Sequence, residues 1–401
     1  MSVDVVVGLQ YGDEGKGKIV DTLASDYDIV VRFNGGNNAG HTIKLDGIDI
    51  ALHLVPSGII QRKISVIGNG ANVNIQALTL ELKEIKQKFG FDPLPYLILS
   101  DRSHVILPED IESSRTDLNS TGRGIGPSYE RKHGRRGITI GDLFDIRNGS
   151  VDKRFSINGL EELVELISPF MNNVKDVSSY LHNAIKSGKN ILLEGAQGSG
   201  LDIDHGQYPF VTSSSCVAGG ACIGAGLGPT EIDEVIGVAK VYTTRVDGNK
   251  ESPFPTLLDK SIENFLRECG NEYGSSTGRP RRCGWFDLVQ VNQAIQVSGV
   301  EEVVLTKLDV LDNLSEIKVC TSYNIDGRIV ESYPATSHRL RNAIPVYETL
   351  EGWKGESSKN VTNFSELPIN AQNYVKYLQN KLNARISLIS TGTSRDDLIE
   401  L

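Results

Sequence analysis

Short apolar runs alternate with amphipathic stretches along this chain. Residues 3–7 (VDVVV) are rich in β-branched side chains, and their length suits a buried strand. Comparable runs fall at 64–67, 97–99, 191–193, 235–241 and 303–305. Between them, residues 75–89 and 160–167 repeat their apolar positions at helical spacing. This alternation predicts an α/β fold with a large, mainly parallel central sheet flanked by helices. No Pro- or Ser-rich linker interrupts the pattern, so residues 1–401 are expected to form a single domain with long loop insertions. Ligands of such sheets bind beyond the carboxyl ends of the strands.

Composition changes the picture at one point. Of 401 residues, 41 are glycine, about a tenth, against roughly 7% in average usage. They cluster in motifs and follow no repeat period, which sets aside collagen and solenoids. Hydrophobic (39%) and charged (23%) fractions are those of an ordinary globular chain. The net charge of −10 argues against a general nucleic-acid or membrane-surface binder, though not against a local cationic site. Five cysteines without C-x-x-C spacing read as free thiols of a reducing compartment, and no run approaches the roughly 18 apolar residues of a membrane span. The expectation is a cytoplasmic protein.

The glycine motifs carry candidate chemistry. After the first strand comes GDEGKGK (12–18), then a helical pattern. Glycines let backbone N–H groups approach a polyphosphate, and a helix start adds positive potential. Gly12, Gly17 and Lys18 fit G-x-x-x-x-G-K, but Ile19 stands where an ordinary P-loop has the hydroxyl that holds Mg²⁺, while Asp13 lies inside the loop. The bland alternative is a tight strand-to-helix turn with surface lysines. Downstream of the run 303–305, TKLD ends in Asp309, a carboxylate able to accept from both N1–H and the 2-amino group of guanine, donors adenine lacks. A Lys-x-Asp surface pair is the competing reading. A switch GTPase does not fit, since the hydroxyl is missing and no Asp-x-x-Gly occurs. Two arginine loops, TGRGIGPSYERKHGRRG (121–137) and STGRPRR (276–282), suit small-anion cradles, with a nucleic-acid patch as the alternative. Asn37, Asn38 and His41 share another glycine loop, where Asp13 as base and His41 as acid make a usable pair.

Together GDEGKGK, NNAGHT, TGRGIGP with RRG, EGAQG, DIDHGQYPFVTSS, STGRPRR, LTKLDVLD and ISTG resemble, in order and nearly end to end, the adenylosuccinate synthetase family. The resemblance implies a homodimeric, Mg²⁺-dependent ligase that joins IMP to L-aspartate at the expense of GTP. In it Asp13 removes the N1 proton of IMP and His41 acts as acid toward the 6-oxygen, which attacks the γ-phosphate; the amine of aspartate then displaces phosphate from 6-phosphoryl-IMP. It implies Mg²⁺ on Asp13 and the Gly40 carbonyl. It assigns IMP to Asp13, Lys16, Asn38, His41, Thr121, Gln197, Thr212 and Arg279, with Arg135 from the neighbouring subunit. It assigns GTP to Gly12, Gly15, Lys16, Gly17, Lys18, Gly40, Thr42, Arg281, Lys307, Asp309, Ser390 and Gly392. The aspartate substrate falls to Ser275, Ser276, Thr277, Arg279 and Arg281. Ser276 replaces the family's common threonine, and the stretches before Thr121 and over 142–194 are shorter than in typical bacterial members. Some phage relatives that take a guanine nucleotide lose the loop aspartate; Asp13 is present here, which favours IMP. The competing readings are a related ligase for another purine monophosphate and a guanine-nucleotide regulatory module.

Overall fold

The structure is a computed structural model that describes residues 1–45, 47–115, 121–149, 159–246, 252–274 and 278–401. Its centre is a ten-stranded sheet. In chain order the strands are β1 (Val3–Gly8), β2 (Ile29–Arg32), β3 (Ile64–Ile67), β4 (Leu97–Ser100), β5 (Val174–Lys175), β6 (Ile191–Glu194), β7 (Glu234–Lys240), β8 (Glu302–Thr306), β9 (Arg385–Ser390) and β10 (Leu398–Glu400). Across the sheet they run β10-β9-β8-β7-β1-β6-β2-β3-β4-β5. Every pairing is parallel except that of β9 with β10. All six residues of β1 are buried, which explains why its sequence is apolar on both faces apart from Asp4 rather than alternating.

The sheet grows outward from β1 in both directions, and this locates the site. After β1 the chain builds β2 to β5 on one side, returns to insert β6 beside β1, then crosses to lay β7 to β10 on the other side. The order therefore reverses at β1, and loops leaving the carboxyl ends of β1, β6, β7 and β8 open into one crevice. The predicted strands and the helices Ile75–Phe89 and Leu160–Ile167 are all present. The strands β2, β5, β9 and β10 were not anticipated from the sequence.

Smaller pieces surround this frame. A hairpin pairs His41–Leu45 with Ile48–Leu52 and packs against the first helix, α1 (Lys16–Leu23). A ribbon pairs Thr243–Val246 with Arg281–Gly284. A four-stranded sheet built on Glu316–Ile325 packs against the helix Leu288–Ser298. No described helix is long and apolar enough to cross a membrane.

Candidate active site

The loop between β1 and α1 is bent by three consecutive demands on backbone geometry. Gly12, Asp13 and Gly15 all have positive φ, at 84°, 59° and 94°. Glycine takes such angles freely, whereas Asp13 does so at a cost that an active-site residue commonly bears. The loop wraps around the Glu14 carboxylate, which is fully buried and accepts from the N–H groups of Gln10 (3.0 Å) and Gly12 (2.8 Å). Glu14 also pairs with Lys16 at 2.6 Å. The sequence reading gave Glu14 no role, although an acid inside a phosphate loop was a visible signal. Gly15 leaves α1 without a side-chain cap, so the first N–H groups of the helix face the crevice as an anion site. Gly17 lets the helix approach the hairpin: a Cβ there would sit 2.7 Å from His41 Cβ and 2.9 Å from its Cα.

His41 is buried, and its Nδ1 bonds to Glu194 Oε1 at the carboxyl end of β6. Glu194 also pairs with Arg32 of β2 at 2.9 Å and accepts from Ser57 N–H (2.8 Å) and Oγ (2.6 Å). The carboxylate fixes the proton on Nδ1 and leaves Nε2 for a substrate. Burial and the Arg32 guanidinium lower the imidazole to about 4, against the opposing pull of Glu194. Burial also disfavours the charge of Glu194, but Arg32 and His41 outweigh it and hold the carboxyl at about 2. The segment EGAQG was part of the sequence signature, yet its glutamate and Arg32 were not singled out.

Opposite this dyad, Asp13 Oδ2 accepts from Arg281 Nε (2.9 Å) and Nη2 (2.8 Å). The other edge of Arg281 binds the buried Glu272 at 2.6 Å. At the far end, Lys307 Nζ donates to the Gly270 carbonyl (2.6 Å), and half-buried Asp309 is raised to about 6 by burial, partly offset by Lys307. Lys18 Nζ donates to Ser390 Oγ (2.7 Å), Gly392 O (3.0 Å) and Asp397 O (3.1 Å), which brings three of the sequence-assigned residues together at this end. Burial lowers Lys18 to about 8.

These groups line one cleft of about 1040 Å³. Its wall includes Gly12, Asp13, Gly15, Lys16, Gly17, Lys18, Asn38, Gly40, His41, Thr42, Thr121, Gln197, Thr212, Arg279, Arg281, Lys307, Asp309, Ser390 and Gly392. Within it Asn38 Oδ1 and both amide atoms of Gln197 are buried without a hydrogen-bond partner. Each such atom costs about 1–3 kcal/mol unless a ligand satisfies it. Arg135 is not on this wall: it lies exposed past the helix Ile125–His133, with φ 58°. Ser275, Ser276 and Thr277 lie outside the described residues. Among the described residues no group of three or more His, Cys, Asp or Glu side chains could hold a metal ion.

Comparison with known proteins agrees with this geometry. The family model for adenylosuccinate synthetase matches residues 5–399. The adenylosuccinate synthetase of Caldanaerobacter subterraneus subsp. tengcongensis is 46% identical over 432 aligned positions, covering 100% of this chain and 99% of the relative. That alignment is longer than the chain, so the relative carries residues this protein lacks. A fully ligated adenylosuccinate synthetase from Plasmodium falciparum superposes with a TM-score of 0.91 at 34% identity, with each chain covered completely. A succinoaminodeoxyadenylate synthetase of cyanophage S-2L, bound to dGMP and dATP, shares the fold at 19% identity and a TM-score of 0.68, over 100% of this chain and 95% of that one. The chain belongs to the adenylosuccinate synthetase family.

Proposed function

We propose that the cleft performs the family reaction with Asp13 as general base and His41 as general acid, and that the whole chain acts as one domain. As a member of the family, the protein is a GTP-dependent ligase that forms adenylosuccinate, GDP and phosphate from IMP, GTP and L-aspartate. The observation that carries the residue assignment is the sharing of one cleft by Asp13, His41, the open start of α1 and the Lys307–Asp309 pair.

An amide-like purine carbonyl is a poor electrophile toward an amine. Phosphorylation of the 6-oxygen makes it a leaving group, and positioning plus charge stabilisation supply most of the catalysis in such transfers. Asp13 takes the N1 proton of IMP, so that negative charge gathers on O6. His41 serves that oxygen through Nε2. Glu194 on Nδ1 favours the imidazolium there, against the opposing effects of burial and Arg32. Asn38, Thr121, Gln197, Thr212 and Arg279 hold IMP together with Lys16. The N–H groups of α1 with Gly12, Gly15, Lys16, Gly17, Gly40, Thr42 and Arg281 hold the triphosphate. Lys307, Asp309, Ser390 and Gly392 surround guanine, with Lys18 beside them. Ser275, Ser276, Thr277, Arg279 and Arg281 hold the aspartate, with Arg281 bidentate on its carboxylate.

The residues present suit Mg²⁺. The Asp13 side chain is 24% exposed and shares the cleft wall with Gly40, so a carboxylate and a carbonyl supply the hard oxygens that this ion takes alongside substrate phosphates. When bound, Mg²⁺ would neutralise charge on the transferring phosphoryl. The working enzyme is a cytoplasmic homodimer in which Arg135 completes the neighbouring IMP site; it uses no nucleic acid and no membrane.

Asp13→Ala tests the base role. Turnover in a coupled assay with IMP, aspartate, GTP and Mg²⁺ should be lost while GTP affinity by calorimetry survives. Residual activity within about tenfold of wild type, or ~1.4 kcal/mol of barrier, would refute it.

A further inference from the structure

Glu272 belongs to none of the substrate contacts above, yet two substrate arms meet around it. We propose that Glu272 is a positioning residue that holds Arg281 for the dicarboxylate and Lys307 for guanine at once, an inference that rests on the reading of those two arms just given.

Its side chain is fully buried. Oε2 accepts from Arg281 Nη1 (2.6 Å) and Lys240 Nζ (2.8 Å), and Oε1 from the Tyr242 hydroxyl (2.5 Å). Lys307 Nζ lies 3.8 Å from Oε1 and donates to the carbonyl of Gly270, two residues upstream. The backbone adds a second grip, since Arg281 N–H donates to the Glu272 carbonyl at 2.9 Å. Residues 272 and 281 thus close the base of the arginine loop. Lys240 ends β7 and is itself fully buried, with a further bond to Thr244 Oγ1 (2.6 Å), so it ties this closure to the sheet.

The charge arrangement explains the use of a carboxylate. Burial disfavours the Glu272 anion, but Lys240, Lys307 and Arg281 outweigh that penalty and hold its carboxyl far below the ordinary range. Arg281 then has two edges with different tasks. Nη1 stays on Glu272, while Nε and Nη2, on Asp13 in this structure, form the edge that would meet a substrate carboxylate. A guanidinium anchored on one edge keeps the geometry that bidentate recognition needs.

Two variants separate positioning from mere stability, because each breaks the same buried Lys240–Glu272 pair and each lowers the Tm. Glu272→Gln should raise KM for aspartate and for GTP roughly tenfold each, with KM for IMP within about twofold. Lys240→Met leaves Arg281 and Lys307 their carboxylate, so all three KM values should stay within about threefold. Unchanged aspartate and GTP values in Glu272→Gln, or parallel shifts in both variants, would overturn the proposal. If Glu272→Gln does not fold, Glu272→Asp keeps the charge but shortens the reach, and the same split is expected. Arg281→Gln and Lys307→Met, measured alongside, must raise KM for aspartate and GTP respectively. Failure there would overturn the reading of the arms, and the proposal with it, whereas the Glu272 and Lys240 variants test the positioning role by itself.

Discussion

As the proposed reader of guanine, Asp309 would combine recognition with a pH limit. Guanine offers two donors, and only the ionised carboxylate can accept both. Burial raises this group to about 6, so it is mostly ionised at neutral pH and gains a proton as pH falls through that value. The kcat/KM for GTP should therefore decline below about pH 6 and the preference for GTP over ATP should narrow with it. Asp309→Asn should weaken that preference at all pH values and remove this part of its pH dependence; steady-state rates with both nucleotides from pH 5 to 8 would check it. The residues proposed to carry chemistry were legible at this scale, because Asp13 and His41 sit in short glycine-rich motifs and Lys307 and Asp309 in TKLD at the end of an apolar run. Their partners were not. Glu194, Arg32 and Glu272 matter through contacts made across 162 positions of chain in the Arg32–Glu194 pair, and no local pattern announces those.

The elements show a similar division. β1 and α1 were readable from an apolar run, a glycine loop and a helical pattern, all local signals. β2 escaped because it ends in Arg32, a residue that a buried strand accepts only when an anion meets it. That anion comes from Glu194 on the adjacent β6. Many of the glycines are turn and cap residues, but Gly17 is required by packing between two elements. Gly17→Ala would push the hairpin strand His41–Leu45 away from α1, since the new methyl meets His41 Cβ at 2.7 Å and its backbone near 3.0 Å. A displacement near 1 Å at the acid should cost kcat on the order of a hundredfold. Stability should fall less steeply than activity, which a thermal melt beside the coupled assay would establish.

For the molecule as a whole, net charge and local charge point in opposite directions. The chain carries −10, yet the cleft wall presents Lys16, Lys18, Lys44, Arg245, Arg279, Arg281 and Lys307 against only Asp13, Glu14 and Asp309. An acidic exterior with a cationic cleft directs polyanions to the site. Arg135, exposed and off that wall, is the residue that the proposed homodimer would use in the neighbouring site. On that proposal specific activity should fall on dilution to monomer, and Arg135→Ala should raise KM for IMP about tenfold or more while leaving the GTP/ATP preference unchanged. By itself the sequence determined the α/β class and the family and suggested the phosphate loop and the guanine-reading pair, because each is written in contiguous residues whose spacing reflects local backbone geometry. Only the tertiary structure decided that Glu194 and Arg32 set the state of His41, and that Glu14 takes up Lys16. It alone decided that Arg281 is shared between Asp13 and Glu272. Those facts depend on burial and on which charges meet in space, across strands as in Arg32–Glu194 or within one loop as in Glu14–Lys16, and the energy of a buried charge is fixed by those neighbours.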